Sequence, residues 1–169
     1  YDELDRLAAS GDVEKTTRAF SDLKERFPRT LQTQQGALLA AKVQAEKGQA
    51  DAALATLGWV ADNAGEDELR SIARLRAAGL LLDQKKFDEA LKQLDAAQQG
   101  TPREFDALIA DRRGDILAAQ GNRAEAIAAY QASYKAMDPK TEYRTLVEAK
   151  LTSLGAAPAP DAAASGVAK

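Results

Sequence analysis

The stretch that decides the fold is "GNRAEAIAAY", residues 121–130, in which Ala126 precedes Tyr130 by four positions. The glycine at its start, Gly121, is typical of a turn that ends one helix before another begins. Residues four apart lie on one face of a helix, so a small residue followed by a large one indicates a close approach to a neighbouring helix. The stretch therefore predicts the second helix of a helical hairpin.

The same pattern occurs four times along the chain. Similar segments begin, at intervals of 37, 37 and 36 residues, at Gly11, Gly48, Lys85 and Gly121. The sixth residue of each segment is small and the tenth is large: Thr16 and Phe20, Ala53 and Leu57, Ala90 and Leu94, Ala126 and Tyr130. Helix-breaking residues also recur every 37 residues, at Pro28, Gly65, Pro102 and Pro139. A breaker at a constant interval indicates a repeated structural unit.

The spacing of the apolar residues predicts an all-α fold, and no stretch is typical of a strand. The expected helices lie at about 1–10, 13–27, 31–47, 49–63, 67–85, 87–99, 102–120, 122–137 and 140–154. For the helix at 102–120 we expect Thr101 as the N-cap, Pro102 as the first residue and Glu104 as the partner in a capping box. Together these elements predict a solenoid of about four helical hairpins, closed by a C-terminal capping helix.

The expected domain organisation is one repeat domain over residues 1–154 followed by a short tail. Residues 155–169 are small residues interrupted by Pro158 and Pro160. Because no large apolar side chain lies between Gly155 and Lys169, we expect this Ala/Pro-rich segment to be disordered.

The composition excludes several classes of function. The chain has 169 residues, a formal net charge of −3, and neither cysteine nor histidine. The absence of a basic surplus argues against nucleic acid as a partner. Without histidine and cysteine, the commonest metal ligands and the usual general base and thiol nucleophile are missing. We therefore expect no catalytic residues, no metal site and no cofactor.

The repeat resembles the tetratricopeptide repeat, a helix pair with small residues at fixed positions. The copy that carries the resemblance best consists of Gly114, Gly121, Ala126, Tyr130 and Pro139. The period of 36 or 37 residues is longer than the usual 34, and Thr16 replaces the small alanine in the first copy. These departures suggest a divergent subfamily.

A more specific similarity lies in two stretches, "LRSIARLRAAGLLLDQKKFDEALKQLD" and "FDALIADRRGDILAAQGNRAEAIAAY". They resemble the soluble region of the YfgM-type ancillary subunits of the bacterial SecYEG translocon. The resemblance implies a bacterial inner-membrane protein whose repeat domain faces the periplasm, with a membrane anchor upstream of Tyr1. It also implies protein partners: the SecYEG translocon, a membrane-anchored periplasmic chaperone and exported clients.

On this resemblance the chain is a non-enzymatic protein-interaction module, part of a translocon-associated, chaperone-like scaffold. A structural subunit that assembles another multiprotein complex is the alternative. In tetratricopeptide repeats the first helix of each pair lines a concave groove. By alignment with that pattern, the candidate partner-binding residues are Leu38, Lys42, Ile72, Leu75, Gly79, Leu82, Leu108, Asp111 and Asp115.

Two of these assignments have an alternative interpretation. The helix at 67–85 carries a second apolar row, Ile72, Leu75, Gly79 and Leu82, beside its core residues. This row is either an exposed binding surface or a core face covered by the helix at 140–154. The charged run at 111–115 is either a binding motif or, as is usual for such runs, a solvated helix face.

Overall fold

The computed structural model describes residues 1–100 and 102–159. These residues form nine α-helices and no strand: α1 (Asp2–Ser10), α2 (Val13–Arg26), α3 (Leu31–Glu46), α4 (Ala50–Asn63), α5 (Asp67–Asp83), α6 (Phe87–Gln98), α7 (Asp106–Ala119), α8 (Arg123–Ala136) and α9 (Glu142–Ser153). The expected all-α fold of helical hairpins is confirmed, and most helix ends lie within a few residues of the positions that the breakers predict.

Helices α3, α5, α7 and α9 end in the same backbone motif. At Gly48, Lys85, Gly121 and Gly155 the backbone takes a positive φ. Each of these residues donates its N–H to a carbonyl three residues back, and the next residue donates to a carbonyl five residues back. Such a pair of hydrogen bonds satisfies the last carbonyls of the helix and turns the chain sharply. Helix α9 therefore ends in the same way as α3, α5 and α7, the first helices of three hairpins.

Residues 1–105 form one compact unit of three hairpins, α1/α2, α3/α4 and α5/α6. The small residues of the repeat, Thr16, Ala53 and Ala90, are all 0% exposed. Their large partners Phe20, Leu57 and Leu94 are buried as well. The small-then-large pattern therefore marks core positions, as the sequence predicts.

The described residues from Asp106 onwards form the second compact unit, which contains the α7/α8 hairpin and α9. Ala126 and Tyr130 are buried in it, and the Tyr130 ring packs against Gly114 of α7. Helix α9 packs on α8, and its Val147 and Leu151 are fully buried. In this unit α9 therefore caps the hairpin that precedes it.

The expected start of α7 is wrong. Pro102 precedes a short 3₁₀ turn at Arg103–Phe105, and the α-helix begins only at Asp106. The amide of Phe105 bonds to the carbonyl of Pro102 at 3.0 Å, which is the closer spacing of a 3₁₀ turn. Thr101, the expected N-cap, lies outside the described residues.

The C-terminal segment is described only in part. Gly155 has a φ of 74°, and the amide of Ala156 bonds to the carbonyl of Leu151, so these two residues close α9. Residues 160–169, most of the segment that we expect to be disordered, lie outside the described residues. Among the described helices, none combines the length and the apolar character that a membrane crossing needs.

Candidate protein-binding face

In the first unit, helices α3 and α5 bring together six of the nine candidate residues. We call the surface that they form with Arg76 the α3–α5 face: Leu38, Lys42, Ile72, Leu75, Arg76, Gly79 and Leu82. The two helices pack against each other, and Arg76 of α5 donates a hydrogen bond of 3.4 Å to the carbonyl of Leu38 on α3. Leu38 is 8% exposed, whereas Lys42, one turn later, is exposed.

The apolar row of α5 is half-buried rather than fully buried. Ile72, Leu75, Gly79 and Leu82 all have intermediate exposure, and Ile72 packs against the core of the first unit. The opposite side of α5 carries the buried residues Leu69, Ala73, Ala77 and Leu81. Helix α5 is thus apolar on two sides, as its sequence predicts. That the half-buried row binds a partner stays a prediction.

The other two arginines of α5 have partners within their own unit. Arg70 donates hydrogen bonds to the carbonyl of Ala64 and to the carboxylate of Asp67. Arg74 donates one to the carbonyl of Ala96 at 3.2 Å. These contacts tie α5 to neighbouring chain segments, so both arginines have a structural role.

The three remaining candidates, Leu108, Asp111 and Asp115, lie on α7 in the second unit. Leu108 is 41% exposed. Asp111 is 3% exposed because two side chains of α9 cover it: Lys150 Nζ lies 2.8 Å from Asp111 Oδ1, and the Tyr143 hydroxyl donates a hydrogen bond of 2.5 Å to Oδ2. The expectation of a solvated helix face is therefore wrong for Asp111.

Asp115 belongs to the same charged cluster. Its Oδ1 atom lies 2.9 Å from Lys150 Nζ and accepts a hydrogen bond of 2.7 Å from the Tyr130 hydroxyl. One ammonium group thus bridges two carboxylates, and two phenol groups complete the cluster. In this arrangement Asp111 and Asp115 hold α9 in place, and any contact of theirs with a partner stays a prediction.

The pKa values of the lysine and of the two tyrosines in the cluster are all raised. Burial raises the pKa of Tyr130, and the hydrogen bond to Asp115 raises it further. Burial and the hydrogen bond to Asp111 act in the same way on the pKa of Tyr143. For Lys150, burial alone would lower the pKa, but the hydrogen bonds and charges of the two carboxylates outweigh burial and raise it. At neutral pH the cluster therefore keeps a charged lysine and two neutral tyrosines.

Sequence reasoning missed two kinds of residue here. Arg76 lies four residues after Ile72, and helical spacing alone could have placed it on the same face as the apolar row. From the sequence, Lys150 and Tyr143 could be assigned only to the capping helix. Their contacts with Asp111 could not be predicted, because Asp111 lies 39 and 32 residues away from them in the chain. Among the described residues, no group of three acidic side chains is arranged to hold a metal ion.

Comparison with known proteins assigns the family. The family model of the tetratricopeptide repeat-like domain matches residues 1–156. A relative from Neisseria gonorrhoeae, named ancillary SecYEG translocon subunit, is 31% identical over 134 residues. The match covers 79% of this chain and 63% of the relative, less than two thirds of its length. The resemblance to the YfgM-type ancillary translocon subunits is thus confirmed, and the chain belongs to the family of tetratricopeptide repeat-like domains.

Proposed function

We propose that this chain is the protein-binding domain of an ancillary subunit of the SecYEG translocon, and that it has no enzymatic activity. The family of helical repeats and the name of the relative both support a role in protein interaction at the translocon. We further propose that the domain faces the periplasm beside an inner-membrane anchor, where it acts as a chaperone-like scaffold for exported clients.

The observation that carries this proposal is the second apolar row of α5. Leu69, Ala73, Ala77 and Leu81 already give α5 a buried apolar side, and of the second row Ile72 also packs against the core. Leu75 and Leu82 add apolar side chains that are only half-buried, on a side of the helix other than this buried one. Apolar area that is covered on binding contributes about 25 cal/mol per Å² to the free energy of binding, before the costs of association are subtracted. The half-buried Ile72, Leu75 and Leu82 can supply such area to a partner.

The test is site-specific photocrosslinking in cells that carry the complete gene. A photoreactive amino acid at Leu75 should crosslink to a translocon subunit or to an exported protein. The matched control is the same amino acid at Lys92, an exposed position on α6 outside the α3–α5 face. Equal crosslinking from both positions, or none from Leu75, would contradict the proposed function.

A further inference from the structure

We propose that the α3–α5 face binds an apolar segment that carries an acidic side chain, and that Lys42 and Arg76 select this acidic group. The inference rests on the proposed protein-binding function and names the chemistry of the partner. The two cations lie on adjacent helices, and the apolar row that begins at Ile72 runs beside them.

Neither Lys42 nor Arg76 forms a close, buried ion pair in the contacts described for this face. The side chain of Lys42 is 64% exposed, and its Nζ lies 3.8 Å from Glu46 Oε1, whose side chain is 58% exposed. Such a long, solvated ion pair leaves most of the ammonium group available. Arg76 is exposed, and its hydrogen bond goes to the neutral carbonyl of Leu38. A carboxylate from a partner could therefore bind both cations.

Both cations lie beside Leu38, and on the proposed binding mode they share one carboxylate. The guanidinium group of Arg76 reaches across from α5 to Leu38. Lys42 follows Leu38 by four residues on α3, which puts their Cβ atoms about 5–6 Å apart on one side of the helix. A carboxylate above Leu38 is thus within reach of both side chains, while apolar groups on the same segment contact Ile72 and Leu75.

Two acidic residues border this face, and one of them, Glu46, forms the solvated ion pair with Lys42. Glu46 and Asp83 are the last residues of α3 and α5, and both are exposed. Asp83 follows Arg76 by seven residues, about 10 Å along the helix axis. Arg76 therefore lies in the middle of α5, whereas both anions are the last residues of their helices. A segment with a central basic side chain would meet the like charge of Arg76.

The experiment uses the purified chain and three labelled amphipathic peptides of alanine and leucine. The peptides differ at a single central position, which is Glu, Gln or Lys, and binding is measured by fluorescence anisotropy at low salt. Exposed ion pairs add little to affinity but help to select the partner, so the expected difference is modest. We expect the Glu peptide to bind about three- to tenfold more tightly than the Gln peptide. The Lys peptide should bind most weakly, and added salt should reduce the differences.

Charge reversal provides the controls. Arg76→Glu and Lys42→Glu should each remove the preference for the Glu peptide and favour the Lys peptide instead. Thermal melting shows whether each variant is folded. Lys92→Glu reverses an exposed charge on α6 and should leave the preference unchanged. Equal affinity for the three peptides, or no binding of any, would overturn the inference. Crosslinking from Leu75 in cells does not depend on this charge preference. It therefore tests the proposed protein-binding function independently of the peptide experiment.

Discussion

The ring of Tyr130 lies directly against Gly114. A Cβ atom at Gly114 would come within 2.5 Å of Tyr130 Cδ1 and Cε1, closer than such atoms can approach. The hydroxyl of the same ring bonds to Asp115, the residue next to Gly114. Because the ring is held at its hydroxyl end and is only 4% exposed, it cannot move aside easily. This contact explains the glycine in α7 and the large residue in α8.

The first prediction is that Gly114→Ala destabilises the protein. The added methyl group must displace the Tyr130 ring or separate α7 from α8, which should lower the free energy of unfolding by about 1–3 kcal/mol. Urea denaturation measures this change. Gly58→Ala is the matched control, because Gly58 also lies inside a helix but a Cβ there meets nothing within 4 Å. It should stabilise the protein by about 0.5–1 kcal/mol. A stable Gly114→Ala variant would contradict the Gly114–Tyr130 contact.

The second prediction concerns Lys85, which occupies the turn position that Gly48 and Gly121 hold in neighbouring repeats. Its φ of 58° is in the left-handed region, where a side chain is unfavourable. Lys85→Gly should therefore raise the free energy of unfolding by up to about 1 kcal/mol, measured by urea denaturation. The neighbouring Lys86 has a φ of −88°, so Lys86→Gly should give no such gain. A loss of stability in Lys85→Gly would show that the lysine side chain has a stabilising contact.

Sequence reasoning located the hairpins because their signals are local. The turn residue, the small residue and the large residue of each repeat all lie within ten positions, as in residues 121–130. The turn forms even where Lys85 replaces glycine, since the hydrogen bonds of the helix end are the same. The sequence predicts too early a start for α7, because Pro102 suits a 3₁₀ turn as well as a first helical position.

The candidate site was harder to predict, because burial depends on residues that are distant in the chain. Asp111 has the sequence context of an exposed charge, and only the docking of α9 places Lys150 and Tyr143 over it. On α5, by contrast, the apolar row and Arg76 follow from helical spacing alone. The sequence can therefore indicate which residues share a helix face, but not which faces another helix covers.

The third prediction is a loss of stability at alkaline pH that originates in the Lys150 cluster. The pKa values of Tyr130, Tyr143 and Lys150 are raised in the folded state. A group with a raised folded pKa stabilises the fold fully below its unfolded pKa, about 10 for these residues, and the contribution is lost as the pH rises through the folded value. The free energy of unfolding should therefore fall above about pH 10.

The double variant Tyr130→Phe/Tyr143→Phe tests this origin. It keeps both rings but removes the two ionising hydroxyls, so its free energy of unfolding should fall less steeply with pH than that of the wild type. The hydrogen bonds to Asp111 and Asp115 are lost at every pH, so the slope is the readout rather than the absolute stability. Identical slopes in the alkaline range would show that the hydroxyls of Tyr130 and Tyr143 are not the titrating groups.

The fourth prediction separates a binding surface from a covered core on α5. Leu75 is half-buried, so Leu75→Glu should lower the free energy of unfolding of the isolated protein by only about 1 kcal/mol. In contact with a partner, the same carboxylate would replace apolar area at the centre of the row, and binding should weaken by about 1–3 kcal/mol. Thermal unfolding and pull-down of the partner found by crosslinking measure the two effects.

Leu69→Glu is the control for a leucine of α5 that faces the core. Leu69 is 7% exposed, so an unpaired carboxylate there should cost several kcal/mol or unfold the protein. If Leu75→Glu lowers the melting temperature as much as Leu69→Glu does, the row is a core face and cannot bind a partner in the folded protein. If Leu75→Glu changes neither stability nor binding, the row is exposed but has no part in the interaction. Unchanged folding with weakened binding is the result that the protein-binding function requires, because it assigns the apolar area of α5 to the partner.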